Sequence, residues 1–167
     1  VDMELLSQHS EGLIALSACL AGKVQHELLN DNYEGAKEEA LFLKGLFGDD
    51  FYLELQDQGL EEEITVNKGL KMLSKELGIK MVATNDVHYI NREDAKAHDV
   101  LLCIGTKSNL SDPDRMRFPN DEFYLKSEDE MRRLFPDVPE AIDNTQEIVE
   151  KCNFGFEYGN YHVPVFK

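Results

Sequence analysis

No run in this 167-residue chain approaches the roughly 20 apolar residues that a bilayer crossing needs, and its start lacks the order of a signal peptide. A membrane partner is therefore not expected, and the cytoplasm is the expected compartment. Cysteine is scarce: Cys19, Cys103 and Cys152 are odd in number, widely spaced and free of any C-x-x-C pattern. This excludes a disulfide framework and a closed zinc ribbon, and Cys103 and Cys152 are expected to lie buried on helix faces. Basic residues are few as well, 17 Lys and Arg against 33 Asp and Glu, for a net charge of −16. Such a surface is a poor nucleic-acid groove, because phosphate binding depends on clustered cations that release counterions. Contacts with DNA would have to lie elsewhere. Internal repeats and low-complexity segments are also missing. The chain begins at Val1 without an initiator Met and ends at Phe166-Lys167, which suggests a piece of something longer.

What is present has the balance of one ordinary globular domain, with 42% hydrophobic and 30% charged residues. After a short helix near residues 3–9, apolar residues 12–17 read as a strand, and Gly22 turns the chain into a helix near residues 24–29. Asn30-Asp31-Asn32 is a cap cluster. Tyr33, Ala36, Ala40, Leu43 and Phe47 then recur at helical spacing until Gly48 stops them. Residues 51–56 alternate like a strand ended by Asp57-Gln58-Gly59. Val66, Leu70, Leu73 and Leu77 form the stripe of a further helix that Gly78 terminates, and residues 80–86 make a third strand. The order strand–helix–strand–helix–strand, with crossovers of this length, predicts parallel pairing. Near-continuous apolar character in the first and third strands predicts a sheet covered on both faces.

The third strand delivers Asp86 and His88 one residue apart. A strand has a side-chain period of two, so both groups would project from one face and could converge on a cation. Cys19 falls just past the end of the first strand. In parallel α/β folds the chemistry gathers at the carboxyl ends of the strands, so carboxylate, imidazole and thiolate on one rim form a candidate site for zinc or another divalent ion. Each signal alone is weak, since Asp-x-His arises by chance and an isolated Cys is ordinarily an inert small hydrophobe. Glu54, at the end of the second strand, reads as a rim hydrogen-bond or ion-pair group.

Beyond residue 90 the pattern changes. Asn91 caps a helix over residues 92–104 with Ala97, Leu101 and Ile104 facing inward. Residues 105–120 read as a long polar loop, in which Arg115 and Arg117 are expected to pair with Asp112, Asp114 and Asp121. Ser127 to Glu130 is a capping box opening a short helix closed by Pro136. The last helix begins near Pro139 and is expected to bury Ile142, Thr145, Val149 and Cys152. His9, His26, His98 and His162 lie on helices, turns or the tail and read as structural or solvent-facing.

The stretches Gly12 to Gly22, Phe51 to Gln56, Val82 to Tyr89, Phe123 to Ser127 and Pro139 to Thr145, in this order and spacing, resemble the alpha subunits of bacterial DNA polymerase III over essentially the whole chain. The region resembled is the later part of the polymerase and histidinol phosphatase (PHP) domain and its continuation toward the palm. The resemblance implies residues 1–104 as the C-terminal half of a distorted seven-stranded β/α barrel and residues 105–167 as a mostly helical connector. It also implies Cys19, Asp86 and His88 as ligands of a divalent cluster, zinc or manganese, completed by an upstream His-x-His that this sequence does not contain. The palm aspartates are absent too, so nucleotidyl transfer would belong to the whole polymerase and this piece alone would be inactive. Implied partners are the rest of the subunit and the replication holoenzyme, with DNA held by other domains and self-association through an exposed sheet edge. A free-standing metal-dependent phosphoesterase and a non-catalytic interaction module are the alternatives. The motifs at residues 123–127 and 139–145 have no place in a small phosphatase.

Overall fold

The computed structural model describes residues 2–161, 163 and 164; His162, read above as structural or solvent-facing, lies outside them. Helix α1 (Met3–Gln8) leads into strand β1 (Ala15–Leu16), which pairs with β2 (Phe51–Leu55), which in turn pairs with β3 (Met81–Ala83). Both pairings are parallel, with Ala15 opposite Phe51 and Leu53 opposite Met81. Helices α2 (Lys23–Leu29) and α3 (Tyr33–Phe47) connect β1 to β2, and α4 (Glu61–Leu77) connects β2 to β3. The fold is thus mixed α/β with a small parallel sheet.

Local chemistry accounts for the helix limits. The Asn32 side chain accepts the Gly35 N–H at 3.1 Å to open α3. Glu61, Glu62 and Glu63 fill the first turn of α4, where the helix dipole favours negative charge. Gly78, at φ +61°, ends α4 in the left-handed conformation. The inner faces expected from the spacing form: Ala36 and Ala40 of α3 and Val66, Leu70 and Leu73 of α4 pack with Phe51, Leu53 and Leu55. Met131 and Phe135, from α6 (Glu128–Leu134) and its C-cap, and Ala141 and Ile142 of α7 (Glu140–Lys151) join the same core.

The strands are shorter than the apolar runs that announce them. β1 lies at the sheet edge and is only half-buried, and Leu13 is exposed. β2, expected to alternate, is instead buried on both faces, with Phe51, Tyr52, Leu53 and Leu55 at 0–2% exposure. On the second face Tyr52 meets the side chains of α7. Tyr52 donates its hydroxyl to Glu147 at 3.0 Å, and the Lys151 ammonium donates to the Tyr52 oxygen at 2.9 Å.

Two helices turn other faces inward than their apolar spacing suggests. In α5 (Ala95–Thr106), Ala97 is exposed, as are Leu101 (61%) and Ile104 (71%), while Cys103 is buried and His98, Asp99 and Leu102 are half-buried. Arg115 binds Asp99 through its two terminal guanidinium nitrogens, at 2.5 and 2.7 Å, and this pulls the polar side inward. The arginine pair expected with Asp112, Asp114 and Asp121 is replaced by this clamp. In α7, Ile142 is buried as expected, but Thr145 and Cys152 are exposed and Val149 is 62% exposed. Its inner side is polar because the sheet offers polar partners there: Asn144 donates to the Met81 carbonyl at 2.7 Å, and Lys80 donates to Glu147 at 2.6 Å. Cys103 is therefore buried as anticipated, whereas Cys152 is not.

The Lys80 ammonium, with the Tyr52 hydroxyl and Lys151, holds the Glu147 carboxyl at about 2, below its ordinary 4.5. A depressed carboxyl stabilises the fold above its unfolded pKa, and that contribution is lost as pH falls through the folded value. Stability should therefore decline between 4.5 and about 2, and Glu147→Gln should flatten that decline while lowering stability at neutral pH. Urea midpoints at matched pH values check this. Parallel curves for the two proteins would show that the cluster does not govern acid sensitivity.

Candidate metal centre at the sheet rim

The carboxyl ends of the three strands are tied together by Glu54. Its carboxylate accepts the Ala18 N–H at 3.1 Å, the Thr84 hydroxyl at 2.5 Å and the Gln56 amide at 3.3 Å. Beneath it, Ser17 accepts the Glu54 N–H at 2.8 Å and the Gln25 amide at 2.6 Å. Glu54 is thus the hydrogen-bonded rim carboxylate that its position suggests. Gln25 also donates to the Ala18 carbonyl at 2.8 Å, so Ala18 is held from both sides in the left-handed region at φ +70°. A non-glycine residue there is strained and persists only where its surroundings enforce it. The residue so presented is Cys19, with an exposed thiol. It borders a small pocket with Gln25, Glu54, Gln56, Glu63 and Asn67.

Asp86 and His88 meet, but not because a strand aligns them. β3 ends at Ala83, and beyond it the chain bends. The Asp86 carboxylate lies 3.1 Å from His88 Nε2, and both side chains are more than one-third exposed. The bend is fixed from the later segment. The His88 N–H donates to the Phe123 carbonyl at 2.8 Å, and Asn85 accepts the Lys126 N–H at 3.1 Å. Tyr89 bridges Tyr124 in parallel.

Glu63 stands behind this bend, almost fully buried. Burial raises its pKa, with smaller contributions from Asp57 and Asp86, against the lowering effect of N–H groups from Gln58 and Leu60. With its amide turned to satisfy both neighbours, Gln58 donates to Glu63 and accepts the Asp86 N–H at 3.2 Å. The Asp86 backbone is thereby tied to the core.

Carboxylate oxygen and imidazole nitrogen, open to solvent and not otherwise bridged, are donors that zinc and manganese accept. Among the described residues, however, no three His, Cys, Asp or Glu side chains converge closely enough to hold a metal. The structure unites Asp86 with His88 and leaves Cys19 apart on the same rim. Two donors fall short of the three that catalytic zinc sites draw from protein. Of the other histidines, His9 and His26 are exposed, and His98 is half-buried against His88, with ring centroids 5.5 Å apart. Nothing in the sequence marks the rim-supporting roles of Ser17 and Thr84, since each acts through Glu54, at least 30 positions away.

Residues 1–58 match the sequence model of a family described as PHP domain. The chain is 53% identical to DNA polymerase III subunit alpha of Treponema pallidum over 168 residues, which is 100% of this chain and 14% of that protein. It is 48% identical to the same subunit of Borreliella burgdorferi, covering 92% of this chain and 13% of that protein. Identity to the Thermus aquaticus subunit is 43%, covering 99% and 14%. The chain therefore spans about one-seventh of the length of these relatives. No helix among the described residues is long and apolar enough to cross a membrane.

Proposed function

We propose that this chain, which belongs to the family of bacterial DNA polymerase III alpha subunits, is a segment of a replicative DNA polymerase that contributes part of its metal-binding PHP domain. The observation that carries this reading is the open Asp86–His88 pair at the carboxyl rim of a parallel sheet. Residues 1–104 would form the later half of a distorted β/α barrel, and residues 105–167 would lead toward the palm. The second segment is a connector in role while sharing the core of the first, since Met131, Phe135, Ala141 and Ile142 belong to the same hydrophobic core as β2.

In this reading Asp86 supplies charge and His88 a neutral nitrogen to a divalent cation, and Cys19, apart on the same rim, would supply a thiolate elsewhere in the cluster. The remaining donors come from elsewhere in the subunit. A cation held there would polarise phosphoryl oxygen and lower the pKa of bound water. Glu54 holds the Ala18–Cys19 turn in place by accepting the Ala18 N–H, and Gln58 holds Asp86. Nucleotidyl transfer onto a primer would be carried out by other parts of the subunit, which would also bind DNA. The net charge of −16 suits a segment that does not contact the phosphate backbone.

The test uses the full-length polymerase subunit that carries this sequence. After dialysis against a chelator, metal content and affinity are compared between wild type and His88→Ala. Removing a ligand should weaken binding by more than the ~10–100-fold that loss of an outer-shell partner produces. Unchanged stoichiometry and affinity in the variant would sink the metal reading.

A further inference from the structure

We propose that Phe118 is a positioning residue for His88, and that the segment joining α5 to α6 is a clamp that holds this imidazole in its ligand orientation. The inference rests on the metal reading of Asp86 and His88 and goes beyond it. Phe118 meets the His88 ring edge-on, with centroids 4.6 Å apart and planes at 85°. Phe123 approaches from another side at 5.9 Å and 72°, and Phe118 and Phe123 are themselves 4.5 Å apart. His98 of α5 closes the group, 4.8 Å from Phe118. Such tilted and edge-to-face contacts favour one ring orientation over the others open to a half-exposed side chain.

Residues 107–122 contain no helix or strand, so what keeps Phe118 in place must be side-chain ties. Three of them surround it. Arg115, almost wholly buried, grips Asp99 of α5 with its two terminal guanidinium nitrogens and donates from Nε to the Leu110 carbonyl at 3.3 Å. Asn120 donates to the Gln58 carbonyl at 2.8 Å. Arg92 holds the far end through Asp121 at 3.1 Å and Glu122 at 2.6 Å. These ties fasten the loop to α5, to the β2–α4 turn and to the start of the α5 region, leaving the Phe118 ring against His88. A loop that served only to join two helices would not need a buried arginine beside an aromatic cluster on a ligand.

Zinc and manganese affinities of the full-length subunit, measured by competition with a chelating dye, test the proposal. The proteins compared are wild type, Phe118→Ala, Phe118→Leu, Phe118→Tyr and His88→Ala. Phe118→Ala and Phe118→Leu should weaken binding about 10–100-fold, the range for loss of a group that orients a ligand. Phe118→Tyr keeps the ring edge and should restore near-wild-type affinity, with thermal midpoints of the Leu and Tyr variants matching. Wild-type affinity in Phe118→Leu would overturn the proposal whether or not the Ala variant folds, and so would weakening that merely tracks a falling thermal midpoint. Loss in His88→Ala without loss in Phe118→Leu removes positioning alone, whereas wild-type affinity in His88→Ala removes the metal reading and this inference with it.

Discussion

Gly22→Ala should destabilise the chain by about 3 kcal/mol, at the upper end of what overpacking a filled site costs. A Cβ on Gly22 would sit 2.2 Å from the Ser17 carbonyl oxygen and 3.1 Å from that of Cys19. Both are backbone atoms, so no side-chain rotation relieves the clash. The turn is also closed by the Gly22 N–H bonding to Cys19 O at 2.8 Å, and Ala18 just before it is already strained. The substitution would push the Ser17–Cys19 segment away from Glu54 and disturb the rim together with the fold. Gly45→Ala is the matched control, because its Cβ meets nothing within 4 Å and an alanine in the interior of α3 should add roughly 0.5–1 kcal/mol. Urea unfolding of both variants decides the matter; similar effects at the two glycines would show that close approach is not what requires Gly22.

Leu53→Ala should cost about 2–5 kcal/mol, since it removes a fully buried side chain from the central strand and leaves a cavity that its neighbours cannot fill. Leu53 stands between Phe51 and Leu55 on the face that packs against α3 and α4. Its backbone is held by the Lys80 carbonyl at 2.9 Å, so the strand cannot shift to close the space. Exposed Ile64 on the outer side of α4 supplies the contrast, and its replacement by Ala should change stability by less than about 0.5 kcal/mol. A small effect at Leu53, comparable with that at Ile64, would mean that the sheet is not the organising core.

The candidate site was partly legible for a reason particular to each residue. Asp86 and His88 are legible because Asp-x-His follows an apolar run, yet strand alternation is not what joins them. The strand stops at Ala83, and the Phe123 carbonyl takes the His88 N–H at 2.8 Å, from 35 positions away by their numbers. Cys19 was placed on the rim by its strand, and the same geometry leaves it on a separate pocket with Glu54 and Gln25. Phe118 carries no signal in the sequence, because it stands in a polar loop with no period to mark it.

Local pattern alone determined the helices, their caps and the parallel order of the strands. Each rests on contacts within a few residues or on the length of a crossover, as with Asn32 opening α3, Gly78 ending α4, and α4 carrying the chain back for β3. Only the tertiary structure decided which faces of α5 and α7 turn inward. There, pairing of polar groups outweighs the apolar stripe: a bidentate Arg115–Asp99 contact and the Glu147–Tyr52–Lys80 cluster bury their own side of each helix and leave Leu101, Ile104 and Val149 in solvent. A hydrophobic stripe is a property of one segment, whereas a hydrogen-bond partner is a property of two, and the second becomes known only when distant parts of the chain are in place.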